Sequence, residues 1–365
     1  MTIVLFIVVL VALIVVHEFG HLVAAKVFRM RVDEFGIGYP PKAKTMFRRG
    51  GTDYTLNWLP FGGFVKIHGE DGEAGAPTPD SFVAKPKWQQ AVVLVAGIAM
   101  NLFFAWILLS TTLALGMPRV LSDAEALTTP DAQIVISRVL ADSPADEAGL
   151  REGDVVLSIQ SGDAAFTGKT AAAFTSFIAS SDEAAGLSLT VLRGEETLLL
   201  TAHPEAGAIA SDPSRVALGV GVASVTDEPV ALWQAPFLGA SYTWNATLTI
   251  GEGLIHFFAG VFTFSADLTQ VSGPIGIAGA VGQASETGAI ALLTLIAVIS
   301  INLALINLIP VPALDGGRLL FVLIEAVTRR TIPQRVAGTV NAIGFGLLIL
   351  LMVVITASDI FKLFS

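Results

Sequence analysis

Four stretches of the chain stay apolar for about 20 residues, the length that crosses a bilayer core. They run from Ile3 to about Ala25, Ala91 to about Leu115, Ile290 to about Ile309 and Val340 to about Thr356. With their flanks they predict transmembrane helices over 1–25, 91–115, 290–317 and 338–357. Between the first two, over 26–90, the pattern shifts to short β-type runs near Val32 to Gly38 and in TDYTLNWLPFGGFVKI, broken by Pro60 and Gly62-Gly63. That pattern predicts a β-hairpin or small sheet lying against the membrane. Between the second and third stretches, ADSPADEAGLREGDVVLSIQSG joins a turn cluster, a short helix-like AxxAGL and the run Val155 to Ile159. The runs Leu187 to Leu192 and Glu196 to Ala202, on either side of Arg193-Gly194-Glu195, predict a hairpin. An α+β domain over about 130–205 is the expectation. Residues 233–280, with Trp233, Trp244 and several phenylalanines, suit an amphipathic membrane-surface segment. A fifth span over Ile255 to Phe264 would be too short.

Composition strengthens the membrane reading, since 53% of the 365 residues are hydrophobic and only 14% are charged. Met1 to Val16 contains no lysine or arginine, so the first stretch lacks the basic start of a secretory signal. Lys26 to Gln90 carries ten Lys/Arg against seven Asp/Glu, and Arg318, Arg329, Arg330 and Arg335 make a second basic patch between the third and fourth stretches. The positive-inside rule places both patches in the cytoplasm, and both termini and the middle domain outside. Pro118 to Leu232 has six Lys/Arg against seventeen Asp/Glu, which accounts for the net charge of −10. The acidity belongs to one outward domain and gives no support to nucleic acid as a partner.

The first apolar stretch contains His17-Glu18-Phe19-Gly20-His21. In H-E-x-x-H on a helix, residues i and i+4 share a face, so both imidazoles reach one metal ion, with the glutamate close to a water there. Charged and polar groups in hydrocarbon are costly unless something there uses them. A catalytic zinc takes three protein ligands and keeps a fourth position open. No cysteine exists to serve. Asp315, in NLIPVPALDGGRL, is the best third ligand: Pro310 and Pro312 stop a regular helix, Gly316 and Gly317 permit a sharp turn, and the result is an unwound stretch at membrane depth. Alternatively, Asp315 caps the helix that follows. His68, His203 and His256 are isolated and lack a comparable apolar setting.

HEFGH, FGGFVKIHGE, KPKWQQAVVLVAGIAMN, SGPIGIAG and NLALINLIPVPALDGG, read together, resemble the site-2 protease family of intramembrane zinc proteases, in its bacterial regulator-of-sigma-E protease group. The segment over 130–205 resembles a single PDZ domain, although no Gly-Φ-Gly-Φ peptide-binding loop is clear in it. The resemblance implies a polytopic α-helical membrane protein of the bacterial inner membrane, with about four transmembrane helices, a membrane-associated β loop, an extracytoplasmic PDZ domain and an active site toward the cytoplasm. It implies Zn2+ held by His17, His21 and Asp315, Glu18 as catalytic acid/base, and Asn307 as a substrate contact. Gly62, Gly63 and Phe64, in the β loop, are candidates to meet an unwound substrate. Substrates would be single-pass membrane proteins, such as anti-sigma factors already cut outside, or signal-peptide remnants. Two departures stand out: only one PDZ-like unit is legible, and Ala96-Gly97-Ile98 replaces the family's usual AGP. A non-catalytic PDZ scaffold with a structural zinc is the alternative from another class.

Overall fold

A computed structural model describes residues 2–70, 78–181, 186–208, 215–263 and 272–364. The described chain falls into two compact units, one formed by Met1–Leu115 with Ala231–Ser365 and the other by Gly116–Val230. The first unit begins with helix α1 (Thr2–Val27), followed by strands β1 (Val32–Arg49) and β2 (Thr52–Ile67) and helix α2 (Lys87–Ala114).

Apolar composition alone would leave α1 without a preferred face, but its buried positions form a stripe: Val9, Leu13, His17, Gly20, His21 and Ala25. Spacings of three and four put these on one side of the helix. The stripe of α2 that answers it includes Val93, Gly97, Asn101, Ala105 and Leu108. The two helices pack tightly at Gly20, where a Cβ would run into the Ala96 carbonyl and come within 2.9 Å of Gly97 Cα. Only glycine permits that approach, as in small-residue helix contacts generally in membranes.

The β1–β2 ladder is antiparallel and folds back on itself. Phe35 therefore lies opposite Val65 on one side and Tyr54 on the other. The inner end of this sheet shares a core with the helices, in which Leu22 and Ala25, Met30, Val32 and Phe35, Ile67, and Val93 and Leu94 pack together.

The second unit carries strands β3 (Arg119–Leu121), β4 (Gln133–Val139), β5 (Val155–Ser161), β6 (Ala164–Ala165), β7 (Leu187–Arg193), β8 (Glu196–Ala202), β9 (Glu205–Ala206), β10 (Val216–Ala217) and β11 (Val220–Thr226). Helices α3 (Asp123–Thr128), α4 (Pro144–Glu147) and α5 (Ala171–Ala179) complete it. Its main sheet runs β3-β11-β4-β5-β7-β8, with β6 paired to β5. The sheet therefore extends beyond 130–205 at both ends, because β3 and β11 pair with each other and β11 with β4. Ile136, Ile159, Phe174, Leu189 and Leu218 are part of its own core.

The first unit resumes with α6 (Ala235–Phe262), α7 (Pro274–Thr287), α8 (Ala289–Leu308), α9 (Asp315–Thr328) and α10 (Gln334–Phe364). Phe264, the last residue of the short fifth-span alternative, lies outside the described residues. Trp106 Nε1 on α2 donates to the Pro236 carbonyl at 2.8 Å, fastening the start of α6. Four helical segments among the described residues are long and apolar enough to cross a membrane: Thr2–Val27, Lys87–Ala114, Ala289–Leu308 and Arg335–Phe361. The third apolar stretch, expected to run over 290–317, stops at Leu308, and Asp315 opens a separate helix. The cause is the pair Pro310 and Pro312, which supply no N–H and cannot continue the ladder.

Candidate metal centre

Two elements deliver the side chains. His17 and His21 lie one turn apart on the buried face of α1, and Asp315 is the first residue of α9, although 294 positions separate it from His21. What brings α9 in so closely is Gly316-Gly317. A Cβ on Gly316 would strike the carbonyls of Leu308 and Ile309, and one on Gly317 the carbonyl of Val311. Further along α9, Arg318 pairs with Glu70 at 2.7 Å and Glu325 with Lys87 at 2.5 Å, tying the helix to the end of the β loop and the start of α2.

One oxygen, Asp315 Oδ2, lies 2.8 Å from His17 Nε2 and 3.1 Å from His21 Nε2, and the two nitrogens are 3.2 Å apart. Both histidines are buried. His21 Nδ1 donates to the Val93 carbonyl at 2.8 Å, which places the proton of a neutral ring on Nδ1 and leaves Nε2 as a lone pair. Asn101 sits 3.3 Å from His17 Nδ1. Among the described residues its buried Oδ1 has no partner. Turned so that this oxygen faces the ring, the amide accepts the Nδ1 proton and frees His17 Nε2 as well. Ser300 Oγ, on α8, donates to the Asn101 carbonyl at 2.8 Å and anchors that turn.

Two lone pairs and a carboxylate oxygen then converge on one point, an arrangement that calls for a cation. Zinc bonds of 2.0–2.1 Å in a tetrahedron set donor atoms about 3.3 Å apart, close to the spacings present. The space beside the donors is kept open by the absence of a side chain: a Cβ on Gly97 would run into His21 Nε2 and come within 2.8 Å of His17 Nε2. The residues fit zinc. Among the described residues, His17, His21 and Asp315 are the group of this kind. His68 instead faces Asp33 at 3.2 Å.

Glu18 points from the same turn of α1 toward the β loop, where the Val65 N–H donates to its Oε2 at 3.0 Å. Gly63 allows the strand that close, since a Cβ there would meet Gly36 O at 2.9 Å, Val15 Cγ2 at 3.5 Å and Glu18 Cγ at 4.0 Å. Gly62 takes φ +116°, a conformation that favours glycine. Phe64 stacks near Tyr39, with ring centroids 6.3 Å apart. The three β-loop candidates Gly62, Gly63 and Phe64 thus lie alongside Glu18. Asn307 sits in the last turn of α8, half-buried. Sequence reasoning overlooked Val93, Val65, Gly97 and Asn101. The first two act through main-chain atoms, which no residue type signals, and Gly97 acts by having no side chain. Asn101 did carry a signal, as an amide inside an apolar span.

An H-E-x-x-H pair on an apolar helix, completed by an acid from a distant helix and flanked by a held glutamate, defines a membrane zinc metalloprotease. The chain belongs to peptidase family M50, the site-2 proteases, whose family model matches residues 5–351. A Clostridium perfringens protein named as a candidate zinc metalloprotease is 34% identical over 96% of this chain and 95% of its own length. The regulator of sigma-W protease RasP of Bacillus subtilis is 28% identical over 100% of this chain and 99% of its own. Zinc metalloprotease RasP of Geobacillus kaustophilus is 28% identical over 100% and 98%.

Proposed function

We propose that this protein is an intramembrane endopeptidase that cuts the transmembrane segments of single-pass membrane proteins, with His17, His21 and Asp315 as zinc ligands and Glu18 as acid/base. The observation that carries the reading is the convergence of those three donors beside a glutamate held by Val65, all on or against apolar helices. Bound there, zinc would polarise a carbonyl and bring the pKa of water to about 7. Glu18 takes a proton from the attacking water and returns it to the leaving nitrogen. The Val65 N–H holds one carboxylate oxygen, which fixes the glutamate beside the donors. Val93 and Asn101 fix the imidazole orientations.

A substrate helix shields its peptide bonds with its own hydrogen bonds, so it must unwind before it is cut. The strand through Gly62, Gly63 and Phe64 offers an edge for the unwound chain, by strand addition, and Asn307 helps hold it. Anti-sigma factors already cut outside, or signal-peptide remnants, suit such a site. A relative that carries the name regulator of sigma-W protease supports the first class. The basic residues that follow α1 and surround α9 favour a cytoplasmic active site in the inner membrane, with the acidic unit and both termini outside.

We read the acidic unit as a PDZ domain. In support, a groove lies between α5 and the stretch Arg215–Val220, lined by Phe174, Ile178 and Leu218. The glycine-containing run Leu218-Gly219-Val220-Gly221, which enters β11 beside that groove, is a candidate for the peptide-binding loop. A scaffold with a structural zinc would need a fourth protein ligand, and the group among the described residues has three.

The test is Glu18→Gln in purified protein. It should retain about one zinc per chain and lose cleavage of a model transmembrane peptide, because the ligands remain while the proton acceptor is gone. Near wild-type cleavage by this variant would remove Glu18 from the mechanism.

A further inference from the structure

The loop that carries Asp315 into the site, residues 309–314, has to satisfy its backbone without helix or sheet. Two of its six residues, Pro310 and Pro312, have no N–H. Ile309 donates to Ile306 O at 3.1 Å, Val311 to Ile309 O at 2.7 Å and Leu314 to Val311 O at 3.2 Å. The remaining donor, the Ala313 N–H, reaches outside the segment to Asn341 Oδ1 on α10 at 3.3 Å. Ala313 is also the residue of this loop with φ in the left-handed region, at +76°, which an alanine adopts only under constraint. Three residues along α10 the contact is repeated by packing: a Cβ on Gly344 would collide with the Pro312 ring and come within 2.8 Å of its carbonyl oxygen.

We propose that Asn341 is a positioning residue for the metal centre. It holds the left-handed turn at Ala313 and so sets where Asp315 Oδ2 stands relative to the two imidazoles. The proposal rests on the reading of Asp315 as a zinc ligand. Asn341 lies at the start of the fourth apolar stretch, and its bond to the Ala313 N–H is exposed at the protein surface. The last span is then part of the active-site frame as well as an anchor, since it takes the loop N–H that neither the loop nor the last turn of α8 satisfies among the described residues.

The experiment compares purified full-length wild type, Asn341→Leu, Asn341→Leu with Ala313→Gly, Gly344→Ala and Asp315→Ala. Zinc per chain, the rate of zinc loss to a chelator, and kcat and KM for a transmembrane peptide are measured. Leucine suits an apolar helix, so the span itself should still form. Asn341→Leu should lose zinc roughly tenfold faster, with a matching fall in kcat and KM unchanged. Adding Ala313→Gly should restore both, because glycine takes positive φ without a clamp. Rescue at a residue two positions from the ligand is not expected if Asn341 serves only the packing of α10. Gly344→Ala, which pushes α10 off Pro312, should repeat the fast zinc loss and gives a reading even if Asn341→Leu fails to fold. If Asp315→Ala loses zinc while Asn341→Leu and Gly344→Ala hold it at the wild-type rate, the positioning role is wrong. If Asp315→Ala keeps its zinc, the ligand assignment falls and this proposal with it.

Discussion

Gly97→Ala is the smallest change that should break the metal centre without touching a ligand. A single added carbon on α2 would run into His21 Nε2, stand 2.7 Å from His21 Cε1 and 2.8 Å from His17 Nε2. Carbon and nitrogen in ordinary contact keep about 3.5 Å, so the overlap is roughly 0.7 Å or more at each of three atoms. None of these is the loose end of a flexible chain. His21 is tied to Val93 and His17 faces Asn101, so the relief has to come from α2 as a whole, by about 1 Å. Overpacking of this kind costs about 1–3 kcal/mol in stability. The larger effect falls on the metal, since an ångström of misplacement in a preorganised site is worth about 100-fold. We expect zinc affinity, measured by competition with a chelator, to fall at least tenfold, and peptide cleavage to fall with it. Gly279→Ala is the matched control, because it adds the same carbon to helix α7 where nothing stands within 4 Å. One zinc per chain at wild-type affinity in a folded Gly97→Ala variant would refute the assignment of the donor set, because the Cβ occupies the space beside it.

Three further outcomes can be checked. Val65→Pro removes the N–H that holds Glu18 while the ligands stay in place, so cleavage should drop about tenfold with zinc content unchanged; equal loss of both would show that the strand, and not that bond, is what matters. In the second unit, burial raises the Asp154 pKa, but two bonds from Arg193, at 2.7 and 2.8 Å, and one from the Arg151 N–H outweigh it and leave the carboxyl below its ordinary value. A depressed carboxylate stabilises the fold above its unfolded pKa of about 4 and loses that contribution as pH falls through the folded value. Hydrogen-exchange protection in this unit, taken relative to the unfolded chain at the same pH, should therefore fall below about pH 4, and Arg193→Met, which strands a buried carboxylate, should cost about 3 kcal/mol at neutral pH. A flat pH response would rule out the pair as a stabilising element. Because the chain has no cysteine, single cysteines at Gly51 and Glu195 give a clean topology test. An impermeant reagent should label them from opposite sides of the membrane, and labelling from one side would refute the assigned orientation.

The sequence by itself determined the kind of chemistry and the medium. H-E-x-x-H is legible because one helical turn brings His17 and His21 to the same face whatever surrounds them. The apolar stretches are legible because bilayer thickness sets a length that composition alone can meet. Asp315 was legible as a candidate from the prolines and glycines around it, which announce irregular backbone. Its arrival within 3.1 Å of both imidazole nitrogens is a tertiary fact, decided by how Gly316 and Gly317 let α9 nest against the end of α8. So is the identity of Gly97 as the open space beside the donors, because an uninterrupted apolar helix does not say which of its faces meets which neighbour. The partners of Glu18 and Ala313 are a main-chain N–H in one case and a side chain 28 residues away in the other. Hydrogen-bond needs of this sort are local, but what fills them is settled only when distant segments pack, and that is where the reading of residues along the chain stops.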